Sequence, residues 1–141
     1  MRVHHVEEIE AAADDVWDLT VDVEALPSLT STITHVERLD DGRLEVGSRV
    51  RIKQPGQRAK VWTVTALESG RRFAGSTTAM GMTTTAAHDE EAADDGTVNT
   101  LSLDRTGALS PVIGRLLERP LRRALATENA GFKYAAERQL T

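Results

Sequence analysis

The pattern of hydrophobic and polar positions divides the chain into a strand, a pair of short helices, six further strands and a long helix. Val3 to Ile9 reads as the first strand. Ala11 to Thr20 has helix chemistry: Asp14 and Asp15 suit the positive end of the dipole, and Val16, Trp17 and Leu19 supply apolar contacts. Leu26-Pro27-Ser28 interrupts it and predicts a second short helix. Strands follow at Ile33–Leu39, Gly47–Lys53, Val61–Leu67, Phe73–Ala79, Met82–Asp89 and Thr97–Asp104. Asp40-Asp41-Gly42, Gln54-Pro55-Gly56, Ser69-Gly70 and Met80-Gly81 punctuate them, and Glu90 to Gly96 reads as an acidic, solvated loop. Strands in tandem with connections this short form an antiparallel meander.

After Gly107 the period turns helical, with Leu117, Leu121, Ala124, Leu125, Glu128, Phe132 and Ala135 on one stripe. Pro120 is expected to kink this helix or split off a first segment. An antiparallel sheet leaves one face to be covered, and the long helix is the element available to cover it. The expected class is α+β: a curved seven-stranded antiparallel sheet around a long C-terminal helix, with two short helices between strands 1 and 2. At 141 residues a single domain over residues 1–141 is expected.

Charge narrows the function. A formal charge of -5 speaks against nucleic acid as a partner. Arg115, Arg119, Arg122 and Arg123 form a local basic stripe, expected to be the solvated face of a helix. The absence of cysteine removes thiolate chemistry and disulfides and suits a reducing compartment. No stretch is long enough to span a bilayer, and Glu7, Glu8 and Glu10 occupy the region where a signal peptide would be apolar. A cytoplasmic location without stable membrane insertion is therefore expected. His4 and His5 point to opposite faces of a strand, and with His35 and His88 they give no ligand spacing, so neither a metal nor another cofactor is expected. Ser110, before Pro111, reads as a helix cap rather than a nucleophile.

The ordered pieces of this sequence resemble a known family. They are Glu8-Ile9 with Asp15-Val16-Trp17, Val36-Glu37-Arg38-Leu39, Gly47-Ser48-Arg49-Val50, Gln54-Pro55-Gly56, Trp62-Thr63-Val64-Thr65, Gly70-Arg71-Arg72-Phe73, His88, and Glu128 through Gly131-Phe132-Lys133. Taken together they are similar to the helix-grip fold of START-like (SRPBCC) lipid carriers, pollen-allergen-type proteins and, most of all, the polyketide cyclase/dehydrase-like group. The resemblance implies an internal cavity for a small apolar or aromatic ligand, polyketide- or lipid-like, in a monomer or homodimer. Leu29 stands where the family often has tryptophan, and Ala74-Gly75 where it often has an aromatic residue, which implies a larger cavity if both positions line it. Fold alone does not set function.

Strand alternation places candidate chemistry without the family. Met82, Thr84, Ala86 and His88 share one face. Pairing this strand with the next puts Glu90 opposite Thr97, His88 opposite Asn99 and Ala86 opposite Leu101, so that His88 and Asn99 face the core. Glu128 lies mid-stripe on the helix and needs a partner or a raised pKa; His88 is the expected partner. Gly131 would let the helix approach the sheet or leave room for ligand. The candidate ligand-binding set is Trp62, Phe73, Gly75, Thr77, Thr84, Ala86, His88, Asn99, Leu101, Leu125, Glu128 and Phe132. His88 and Glu128 are the catalytic candidates, against the blander reading that buried polar groups only satisfy one another or orient a ligand. Three functions follow: a small-molecule binder; a cyclase or dehydratase in which His88 moves a proton while Asn99 and Thr84 orient oxygens; or an interaction module with a filled interior.

Overall fold

The computed structural model describes residues 1–108 and 110–138. Its elements are β1 (Arg2–Ile9), α1 (Ala13–Val21), a 3-10 turn (Val23–Ala25), α2 (Leu26–Leu29), β2 (His35–Arg38), β3 (Arg49–Lys53), β4 (Lys60–Glu68), β5 (Arg72–Ala79), β6 (Met82–Ala93), β7 (Gly96–Thr106) and α3 (Ser110–Arg138). All strand pairs are antiparallel, in the order β1-β7-β6-β5-β4-β3-β2. The meander is as predicted, and β1 closes onto β7 because α1 and α2 carry the chain across the inner face before β2 begins. A bulge between Val64 and Ala66 interrupts the β4–β5 ladder, a device that bends a strand.

Inward positions follow the pleat. Phe73, Gly75 and Thr77 of β5 pair with His88, Ala86 and Thr84 of β6. His88 and Ala86 pair in turn with Leu101 and Leu103 of β7. The expected register is off by two residues: Glu90 pairs with Asn99 and Ala92 with Thr97. An even slip keeps every side chain on its expected face. Its cause is the hairpin, which turns at Asp94-Asp95, so that Glu90 to Ala93 extend β6 and are not a loop.

Val3, Ile9, Val16, Leu101, Phe132 and Ala136 are almost completely buried and tie β1, β7, α1 and α3 together. α3 runs unbroken through Pro120, so no first segment splits off. Its buried face is Leu125, Asn129, Phe132 and Ala136, while Leu117 is exposed. The Ser110 hydroxyl donates back to the Gly107 carbonyl instead of capping a helix N–H. Among the described residues no helix is long and apolar enough to cross a membrane.

Candidate functional site

Between the concave sheet face and α3 lies a cavity of about 200 Å³. Its interior is therefore not filled by the chain's own side chains. Trp62 and Val64 of β4, Phe73, Gly75 and Thr77 of β5, Thr84, Ala86 and His88 of β6, and Leu101, Leu103 and Arg105 of β7 form the floor. Leu121, Ala124, Leu125 and Glu128 form the roof, and Val23, Leu26 and Ile33 close one side. Gln54, Gln57 and Lys60, at the β3–β4 turn, add a polar rim, with Gln54 next to the Ile33 segment, where Thr34 N–H donates to the Lys53 carbonyl at 2.9 Å. Asn99 and Phe132 belong to the candidate set but lie behind the wall, both fully buried. Leu29 does not line the cavity and Gly75 does, so only one of the two small-residue departures bears on its size.

His88 is held between Phe73, stacked at 6.0 Å, and Phe132, edge-on at 5.6 Å. Its Nδ1 is buried and has no hydrogen-bond partner among the described residues. Burial pulls its pKa down to about 4, against a smaller opposing pull from Asp89. The imidazole is consequently neutral at neutral pH.

Glu128 goes the other way. Burial pushes its carboxyl up to about 7, partly offset by a hydrogen bond with Thr32. The expected His88–Glu128 pair does not form: no hydrogen bond or ion pair joins them among the described residues. Thr32 takes that place because α2 and the residues after it pass beside the roof helix. Thr32 Oγ1 lies 2.8 Å from Thr30 Oγ1, so its one proton serves either that neighbour or the carboxylate.

A second polar group sits deeper, away from the cavity. Asn99 Nδ2 donates to Asn129 Oδ1 at 2.8 Å, and Asn129 Nδ2 reaches the Asn99 carbonyl at 3.0 Å and His5 Nδ1 at 3.2 Å. Asn99 is therefore committed to α3 rather than to a ligand in the cavity. Beside it Glu90 is 7% exposed and receives the Thr20 hydroxyl at 3.2 Å. Burial raises the Glu90 pKa to about 7, the Thr20 bond lowers it, and Asp14 and Asp18 on α1 raise it further.

Asn129, His5, Glu90, Thr32 and Arg105 are the residues that sequence reasoning missed. Two had a usable signal: Glu90 continues the even positions of β6, and Arg105 the odd positions of β7. Asn129 did not, because it adjoins Glu128 on a stripe that was centred one residue away. Among the described residues no cluster of three or more His, Asp or Glu could hold a metal.

The family described as polyketide cyclase/dehydrase and lipid transport matches residues 1–137. No curated protein matches. Among solved structures the chain is similar to the ZhuI aromatase/cyclase of Streptomyces sp. R1128, at 21% identity and a TM-score of 0.80, covering 100% of this chain and 96% of that one. A START superfamily protein from Mycobacterium smegmatis gives 20% identity and a TM-score of 0.74, covering 99% of each chain. A point mutant of norcoclaurine synthase from Thalictrum flavum, bound to a transition-state analogue, gives 17% identity and a TM-score of 0.77, covering 100% and 96%. At these identities the likeness establishes the helix-grip fold.

Proposed function

Because the chain belongs to the polyketide cyclase/dehydrase and lipid transport family, we propose that it binds one small, largely apolar or aromatic molecule between its sheet and α3. The observation that carries this reading is the cavity itself: apolar walls with a few placed polar groups, the usual composition of a small-molecule site. Its volume of about 200 Å³ lies between the ~150 Å³ that accepts benzene and the ~300 Å³ where drug-sized pockets begin. A ligand of one or two rings, or a short acyl chain, fits that space. Trp62 and Phe73 supply flat surfaces, and the His88 imidazole, on the cavity wall, supplies an acceptor or donor for one polar atom of the ligand.

Native mass spectrometry of protein purified from its own host, with titration of naphthol and lauric acid followed through tryptophan fluorescence, tests the reading. A copurifying apolar molecule, or saturable one-to-one binding that His88→Leu weakens, supports it. No copurifying molecule and no binding of either probe would overturn it.

An acid/base enzyme is the second reading, and one observation favours it. A cavity-lining carboxyl with a pKa of about 7 gives and takes protons at neutral pH. That observation moves the role from His88, whose pKa of about 4 and lack of an orienting partner suit it poorly, to Glu128. Under this reading Glu128→Gln abolishes turnover of a poly-β-ketone substrate and spares its binding. Under the carrier reading there is no turnover to abolish.

A further inference from the structure

The first half of α3 is poorly covered. From Pro111 to Arg123 only Ile113, Gly114 and Leu121 are shielded from solvent. Val112, Leu116 and Pro120 recur every four residues and form one exposed row along the helix. Arg115, Arg119 and Arg123 recur at the same spacing and form the row beside it. Val112 is 64% and Leu116 74% exposed. Arg115, Arg119 and Arg123 make no hydrogen bond or ion pair among the described residues. Glu118, the one acid in this stretch, is taken by Arg122 at 2.9 Å.

A second element meets this end of the molecule. The β5–β6 turn is Met80-Gly81, and a side chain at Gly107, on the way into α3, would strike the Gly81 carbonyl. Met80 is 93% exposed and has a φ of 54°, a left-handed conformation usually left to Gly, Asn or Asp. The fold gains nothing from methionine there, since the side chain packs on nothing. A flexible apolar residue at the tip of a tight turn has its use outside the molecule.

We propose that α3 residues 111–123 and the Met80 turn form a docking surface for an anionic lipid bilayer. Met80, Val112 and Leu116 enter the interfacial region, and Arg115, Arg119 and Arg123 meet the head groups. Charge argues for this partner: a protein of net charge -5 is repelled by anionic membranes except through a local basic face. The mixture argues for it as well. Apolar side chains projecting from two elements and flanked by arginine suit a deformable interface. Leu121, on the same helix, lines the cavity. If the cavity holds an apolar ligand, docking would bring its roof helix to the membrane; the docking itself does not rest on that reading.

Co-sedimentation with phosphatidylcholine vesicles, plain or with about a third of phosphatidylserine, tests the proposal. Retention is expected on the anionic vesicles, with loss at high ionic strength. Arg115→Ala, Arg119→Ala and Arg123→Ala combined should weaken it about 100-fold. Met80→Ser with Leu116→Ser should weaken it about tenfold or more. Both variants should keep wild-type melting temperatures and wild-type naphthol titrations, which separates this surface from the cavity. Three outcomes would overturn the proposal: equal retention on both vesicles, retention by both variants, or no retention at low salt. A concentration-dependent dimer abolished by Leu116→Ser would overturn it too, in favour of a second copy. Capture on immobilised polyglutamate without vesicle binding would do so in favour of an acidic protein.

Discussion

At Glu90 a carboxyl group is enclosed where it has too few donors. Its Oε2 and the Oδ1 of Asn99, on directly paired residues of the inner face, both lack a partner among the described residues. The Thr20 hydroxyl has one proton and also lies 2.9 Å from the Val16 carbonyl. A proton on Glu90 relieves this shortage, which agrees with its pKa of about 7. The folded state then binds this proton more tightly than the unfolded chain, where a carboxyl titrates near 4.5. The resulting stabilisation is complete below pH 4.5 and is lost as the pH rises through 7. Glu128 acts in the same direction, and His88 in the opposite one, its stabilisation being lost as the pH falls from 6.5 through about 4. Glu90→Gln keeps the shape and a donor without the charge. Its melting temperature should match wild type at pH 5 and exceed it at pH 8, with a flatter slope between. A variant less stable than wild type at pH 8 would show that the charged form is the one the fold accommodates. The sequence hid this residue because clustered acids are usually solvated, and the tight Asp94-Asp95 turn left no loop to hold Glu90 in water.

At the scale of elements, strands and helices were readable because their periods differ, and inward faces were readable because alternation survives a two-residue register slip. What pattern could not supply was how α2 and α3 meet. From sequence Gly131 lets the helix approach the sheet or leaves room for ligand, but in the structure a side chain there would collide with the Leu29 carbonyl of α2. A side chain at Gly114, on the same helix, would meet first the side chain of Met1. The two glycines therefore respond differently to alanine. Gly131→Ala sets overpacking of about 1–3 kcal/mol against a helix-propensity gain of about 1 kcal/mol, and a net loss of stability is expected because backbone cannot swing aside. Gly114→Ala meets Met1 at its Cβ, 2.7 Å away, on a terminus tied to Arg105 by two backbone bonds, so part of the propensity gain is lost there too. A chain terminus yields more readily than α2, and the net loss should be smaller than at Gly131. Urea denaturation of both variants reads the difference directly. Equal effects would mean that α2 gives way as easily as Met1.

For the molecule as a whole, the fold followed from chain order, whereas the cavity's shape depended on which short elements overlie the sheet. The pleat placed Thr84, Ala86 and His88 on the cavity side, but it could not show that Asn99 is occupied by Asn129 or that Thr32 meets Glu128. Apolar walls that face no packed side chain forgo contacts that a close-packed interior makes. A bound ligand would return some of them, in proportion to its concentration relative to its dissociation constant. A side chain built into the same space should return some of them permanently. Ala86 faces the cavity from the centre of the sheet, between Gly75 on β5 and Leu103 on β7. Ala86→Phe projects a ring into the void rather than into packed atoms. Its melting temperature without ligand should rise above that of wild type, and the shift caused by naphthol should disappear. A fall in stability would mean that the space closes up in solution and that no hollow exists to be filled. A rise with the naphthol shift intact would place the binding site elsewhere on the protein.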